Sequence, residues 1–144
     1  MDTATGPCSV AVWRDNALGA YVENPQFTRQ SASLLPMIEA ALKEADTAYS
    51  DLTGIVSTVG PGSFTGIRVG LATASAIGFA AKIPVLGYTT LETVAYAVRN
   101  QAGDHPILAL LNAGKGEYYY QLFSNTPEWH AHYEPGLGTL SAIL

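Results

Sequence analysis

The sequence predicts an α/β fold with a mixed sheet flanked by helices, and three features carry that prediction. Short β-branched or apolar runs alternate with longer helical patterns along most of the chain. The first two runs are separated only by a polar turn, so the sheet should open with an antiparallel hairpin. A glycine-rich turn, Gly60-Pro61-Gly62, lies between a buried-type strand and a long uncharged helix.

The elements follow in order. The chain opens abruptly on Met1-Asp2-Thr3-Ala4-Thr5, which reads as a first strand clipped to half its length. Residues 9–13 run apolar to Trp13, Arg14-Asp15-Asn16 interrupts, and 18–22 resumes: strand, turn, strand. Residues 31–45 place Leu34, Leu35, Ile38, Ala41, Leu42 and Ala45 at helical spacing, with Ser31 or Ser33 as cap. Pro36 fits a helix only in its first turn, so the helix is expected to begin close to it. Residues 52–59 form a short strand into the glycine turn, with Ser63 or Thr65 capping the next helix.

That helix, 67–82, has no polar face, so it should be buried all round. Gly66, Gly70, Ala74 and Gly78 stand four apart and form a stripe of small residues that admits a close neighbour. Strand 84–88, helix 91–99, strand 107–111, the turn Asn112-Ala113-Gly114-Lys115-Gly116 and strand 118–123 complete the pattern. The tail from Ser124 is rich in Pro, Gly and polar residues, reads as loop around His130 and His132, and stops in mid-pattern over 140–144.

Composition narrows the function. In 144 residues, 48% are hydrophobic and 13% charged, about half the roughly 25% charge of an ordinary domain. Disorder is excluded, and part of the apolar surface is expected to lie under another chain. Seven basic against twelve acidic residues give net charge −5, with no basic cluster to grip nucleic acid directly. Cys8 is the single cysteine and reads as core, which suits the cytoplasm. No signal peptide is legible, and the uncharged stretch 69–81, at roughly 13 residues, is too short to span a bilayer. A soluble, cytoplasmic protein without membrane contact is expected.

Gly60-Pro61-Gly62-Ser63-Phe64-Thr65-Gly66-Ile67-Arg68 is the informative segment. A strand, glycine turn and helix N-terminus can cradle an anion, but this one lacks the Gly-Lys-Ser/Thr of a phosphate loop and the Gly-x-Ser-x-Gly of a nucleophile elbow. Together with Val69-Gly70-Leu71-Ala72, Asp2-Thr3-Ala4-Thr5, Ser9-Val10-Ala11-Val12, Leu34-Leu35-Pro36-Met37-Ile38 and Gly116-Glu117-Tyr118-Tyr119, it resembles the TsaB (YeaZ) family.

The resemblance implies an actin-like (ASKHA, ribonuclease H-like) lobe, expected over 1–104, and the start of an incomplete second lobe over 105–144. It also implies a non-catalytic partner of a TsaD-like subunit in making N6-threonylcarbamoyladenosine at position 37 of tRNAs reading ANN codons. A TsaE-like ATPase and TsaC complete that pathway, tRNA is reached only through the complex, and the subunit alone forms a homodimer. No cofactor is bound tightly, with ATP or ADP placed at the partner junction. The partner face is expected on two helices, through Leu34, Leu35, Ile38, Leu42, Gly66, Val69, Gly70, Thr73, Ala74 and Ile77. On that reading Gly70→Leu or Ala74→Trp abolishes assembly but spares the fold. Asp2, Thr3, Thr5, Gly62 and Ser63 belong to a turn that either approaches a nucleotide or is structural, with Asp2 organising the turn rather than holding Mg²⁺.

Catalysis by this chain alone finds little support. The helix matching the TsaD metal site has Gln30, Ser31 and Leu34 where histidines would be needed. His105, His130 and His132 come late and lack a third ligand, so no metal is expected. Two alternatives are a glycoprotease-like hydrolase using Ser63, His105 and Asp2, and a stand-alone nucleotide-binding ASKHA enzyme. One departure stands out: the family's Asp-Ala-Arg is Asn112-Ala113-Gly114 here.

Overall fold

The computed structural model describes residues 1–24, 30–126 and 128–144. They divide into two compact units, one of residues 1–59 and 63–88, the other of 60–62 and 89–144. Helix α3 (Thr90–Ala97) groups with the second unit, where its Leu91 and Ala95 pack against Ile107, Ala109 and Phe123.

In the first unit, β1 (Cys8–Arg14) and β2 (Ala17–Asn24) form the antiparallel hairpin. Asp15 and Asn16 turn it with φ of 52° and 61°, the left-handed pair that matches strand twist and that Asp and Asn tolerate. β3 (Ile55–Thr58) pairs in parallel with β4 (Val85–Tyr88). Met1 and Asp2 join the ribbons: Asp2 bridges Ser9, and Met1 bonds to Val56 and Thr58. Helix α1 (Gln30–Glu44) covers the hairpin and α2 (Phe64–Ala81) covers β3. Between them lies a core of Cys8, Val10, Val12, Ala20, Leu34, Met37, Ile38, Ala41 and Leu42.

Two expectations about α1 change. Pro36 lies inside the helix, not in its first turn. Its missing N–H deprives the carbonyl four residues earlier of a partner, and that residue, Ala32, is exposed, so water can replace the bond. Ser31 and Ser33 are helical residues, not caps; the position ahead of Gln30 and the Ser31 side chain lie outside the described residues.

α2 begins where the sequence pointed to a cap. The Ser63 hydroxyl accepts the Gly66 N–H at 3.2 Å. The helix ends on Lys82 at φ 57°, whose N–H reaches the carbonyls of Gly78 and Phe79. It is not buried all round: Phe64 and Phe79 are 74% and 89% exposed. At 18 residues and mean hydropathy 1.3 it is long and apolar enough to cross a membrane by those measures alone. Its small-residue stripe is instead closed against protein.

In the second unit, β5 (Ile107–Gly114) and β6 (Glu117–Ser124) form a hairpin around Gly114, Lys115 and Gly116, all at positive φ. The Thr89 hydroxyl accepts the Glu92 N–H at 3.0 Å and so caps α3. The tail from Ser124 is not all loop: β7 (His130–Ala131) and β8 (Gly136–Thr139) add to β6, and a single turn, α4 (Leu140–Ile143), follows. Trp129 anchors this segment by stacking on Phe123 at 5.2 Å.

Candidate functional site

Two features of the first unit collect the residues singled out from sequence. One is the turn at Asp2, which lies in the bend leading into β1. One carboxylate oxygen of Asp2 accepts the Ala4 N–H at 2.8 Å and the Thr58 hydroxyl at 2.7 Å; the other accepts the Thr5 hydroxyl at 2.9 Å. The buried Thr3 hydroxyl donates to the Gly66 carbonyl at 2.7 Å, and the Ser63 N–H to the Ala4 carbonyl at 2.7 Å. The turn is thereby tied to β3 and to the start of α2.

This arrangement does not fit a phosphate or Mg²⁺ seat made by these residues themselves. The Thr3, Thr5 and Thr58 hydroxyls and the Ser63 amide, all potential phosphate donors, are spent inside the protein. The Asp2 carboxylate faces three donors, which is the environment of an Asx-type turn organiser. Gly62, at φ 155°, groups with the second unit together with Gly60 at 106°. Among the described residues no three His, Cys, Asp or Glu side chains gather as metal ligands.

Ser63 is a helix cap, the Asp2 bonds are to Ala4, Thr5 and Thr58, and His105 belongs to the other unit. His130 and His132 instead flank the Ser124 hydroxyl, at 3.4 and 3.0 Å. Cys8 is fully buried, and burial, with the nearby Asp2 charge adding to it, pushes its thiol pKa up. That is the opposite of an activated nucleophile.

The second feature is the pair α1 and α2, and here the residues divide. Leu34, Ile38, Leu42, Gly66, Gly70 and Ala74 are buried in their own unit. Val69 and Ile77 are partly buried against the same core, and Thr73 is half-buried. Leu35 alone of the ten is exposed. The close approach that the small stripe permits is therefore to the unit's own strands: a Cβ on Gly70 would strike the Thr3 hydroxyl, and one on Gly78 would strike Val85.

What α2 leaves uncovered is the opposite side, where Phe64, Arg68, Ala72, Ala76 and Phe79 stand with Thr65, Ser75 and Ala80. The Arg68 guanidinium lies 5.2 Å from the Phe64 ring centre, so even the one cation is drawn across an aromatic face. Phe64 and Phe79 were not among the residues singled out from sequence. The signal was present: the two aromatic residues fall on the side of the helix opposite the glycines.

Comparisons place this geometry among known proteins. The model of the family described as TsaD: tRNA N6-adenosine threonylcarbamoyltransferase matches residues 25–129. The chain is 35% identical over 133 residues to the tRNA threonylcarbamoyladenosine biosynthesis protein TsaB of Escherichia coli (strain K12), covering 90% of this chain and 57% of the relative. It is 33% identical over 131 residues to the TsaB protein of Buchnera aphidicola subsp. Schizaphis graminum (strain Sg), covering 90% and 62%. The solved structure of YeaZ from Pseudomonas aeruginosa superposes with a TM-score of 0.85 at 27% identity, covering 94% of this chain and 64% of that one. The chain thus spans about three-fifths of the length of these relatives, and the α/β lobe is that of YeaZ, the ASKHA-type fold expected from the sequence. The chain belongs to the TsaD family, on its TsaB (YeaZ) branch.

Proposed function

We propose that this chain acts without catalysis of its own, as the partner of a TsaD-like subunit in forming N6-threonylcarbamoyladenosine at position 37 of tRNAs reading ANN codons. The observation that carries this reading is the outer face of α2, where Phe64 and Phe79 stand exposed opposite a stripe closed against the same unit's strands. In a family that makes threonylcarbamoyladenosine, an apolar helix face of this kind is what a partner subunit would cover.

On this proposal the partner face consists of Phe64, Arg68, Ala72, Ala76 and Phe79, and excludes the buried members of the expected set. The same face pairs with a second copy when the TsaD-like subunit is absent, giving a homodimer. A TsaE-like ATPase and tRNA are reached through the complex, in the cytoplasm. Net charge −5 argues against this chain gripping tRNA directly. Because the Asp2 turn spends its donors internally, ATP or ADP at the junction would be held chiefly by the partner.

Reconstitution tests the proposal. With TsaD, TsaE, TsaC, threonine, bicarbonate, ATP and an ANN-decoding tRNA, adding this chain should restore threonylcarbamoylation, and the chain alone should give none. Modification at the same rate without it would overturn the reading.

A further inference from the structure

β7 is short, yet it brings three polar side chains together. It pairs antiparallel with the end of β6, Ser124 opposite His130 and Phe123 opposite Ala131, and the His132 N–H extends the ladder to the Leu122 carbonyl at 2.9 Å. Strand alternation sends Ala131 to one face and His130 and His132 to the other, the face of Ser124. Trp129, stacked on Phe123, anchors the chain immediately ahead of the two histidines.

The two rings meet over one hydroxyl. Nε2 of His132 lies 3.0 Å and Nε2 of His130 3.4 Å from the Ser124 Oγ, with the ring centres 5.3 Å apart. Nδ1 of His130 lies 2.8 Å from the Glu128 carbonyl. A carbonyl only accepts, so Nδ1 carries the proton and, in the neutral ring, Nε2 keeps its lone pair. That is the tautomer of a metal-bound imidazole, held in the way such rings are held, by a backbone carbonyl behind the ring. Ser124 is buried while both rings are exposed, so the inner end of the cluster is fixed and its outer side is open to solvent.

We propose that His130 and His132 form a two-imidazole chelate for a divalent transition-metal cation, Zn²⁺ or Cu²⁺, bound through both Nε2 atoms with water completing the coordination sphere. Imidazole nitrogen suits these ions, whereas Mg²⁺ and Ca²⁺ take oxygen ligands. The Ser124 hydroxyl has one proton and can donate to one ring at a time, so the other Nε2 must bring its own proton; a cation satisfies both lone pairs at once. The want of a third side-chain ligand, which counted against a metal at these histidines in the sequence, excludes a closed structural site but not an open, exchangeable one. Because both ligands must stand on one face of an extended strand, the ion binds the folded β7 and stabilises it.

The test titrates Zn²⁺ alone into the whole chain, stripped with a chelator, by calorimetry, and follows Cu²⁺ alone by electron paramagnetic resonance. One ion should bind per chain, Zn²⁺ should raise the thermal midpoint, and bound Cu²⁺ should show two equatorial imidazole nitrogens. His130→Gln and His132→Gln, both at exposed positions, should each weaken Zn²⁺ binding about tenfold or more, since loss of a mere supporting partner already costs that much. His105→Gln should leave it unchanged. Undiminished binding by the His130 and His132 variants, one ion shared between two chains, or no heat at millimolar Zn²⁺ would each overturn the proposal. So would a Cu²⁺ spectrum with fewer than two nitrogens, whatever the variants do.

Discussion

Thr3 and Gly70 share a space that holds one side chain. The Thr3 hydroxyl occupies the position a Cβ on residue 70 would need, and it is fixed there by its 2.7 Å bond to the Gly66 carbonyl one turn earlier. Gly70→Ala must therefore push Thr3 aside or break that buried bond. A loss of about 1–3 kcal/mol is expected in urea unfolding. Gly70→Leu should fail to fold, rather than fold and fail to assemble as the small-residue stripe alone suggested. A soluble Gly70→Leu chain of unchanged stability would contradict the inward orientation of that stripe.

Asp2 is the other half of the same knot. Asp2→Ala orphans the Ala4 N–H and the Thr58 hydroxyl, and about 1–3 kcal/mol of stability should go with them. Asp2→Asn retains an acceptor oxygen for both groups and should cost less. Equal losses in the two variants would mean that the charge matters more than the hydrogen bonds.

Two groups give pH dependences of opposite sign. The Cys8 thiol, raised above its ordinary value of 9.0 by burial, keeps its proton more tightly when folded, so its contribution is intact below pH 9.0 and is lost as pH rises through the folded value. The Met1 ammonium, lowered below 8.0 by desolvation, gives the reverse: its contribution is intact above pH 8.0 and is lost as pH falls through the folded value. Cys8→Ala should flatten the alkaline fall in stability relative to the parent, and N-terminal acetylation should flatten the fall below pH 8.0. Thiol labelling of Cys8 should follow global unfolding, because the side chain is fully buried.

Much of the fold was legible because local chemistry decided it. Asp15-Asn16 permits only a few turns between two apolar runs, and Ser63 could cap nothing but the helix behind it. The course of α1 through Pro36 was not legible, since an exposed carbonyl can lose its partner to water at little cost. Nor were β7 and β8, whose two and four residues carry too short a pattern to read.

The side of α2 that packs inward was not legible in the sequence. Periodicity groups Gly66, Gly70, Ala74 and Gly78 together, and it equally groups Phe64 with Phe79. It does not say which group meets the sheet. Thr3 and Val85 decide that, and both are distant in sequence from the stripe they meet.

Binding of Phe79→Asp to a TsaD-like subunit, by calorimetry alongside thermal unfolding, bears most directly on the partner role. Phe79 is 89% exposed, so the substitution should leave the unfolding midpoint unchanged. Affinity should fall by about tenfold or more, the loss expected when an aromatic anchor leaves an interface. Undiminished binding by a chain of unaltered stability would contradict the assignment of the outer face of α2 to the partner.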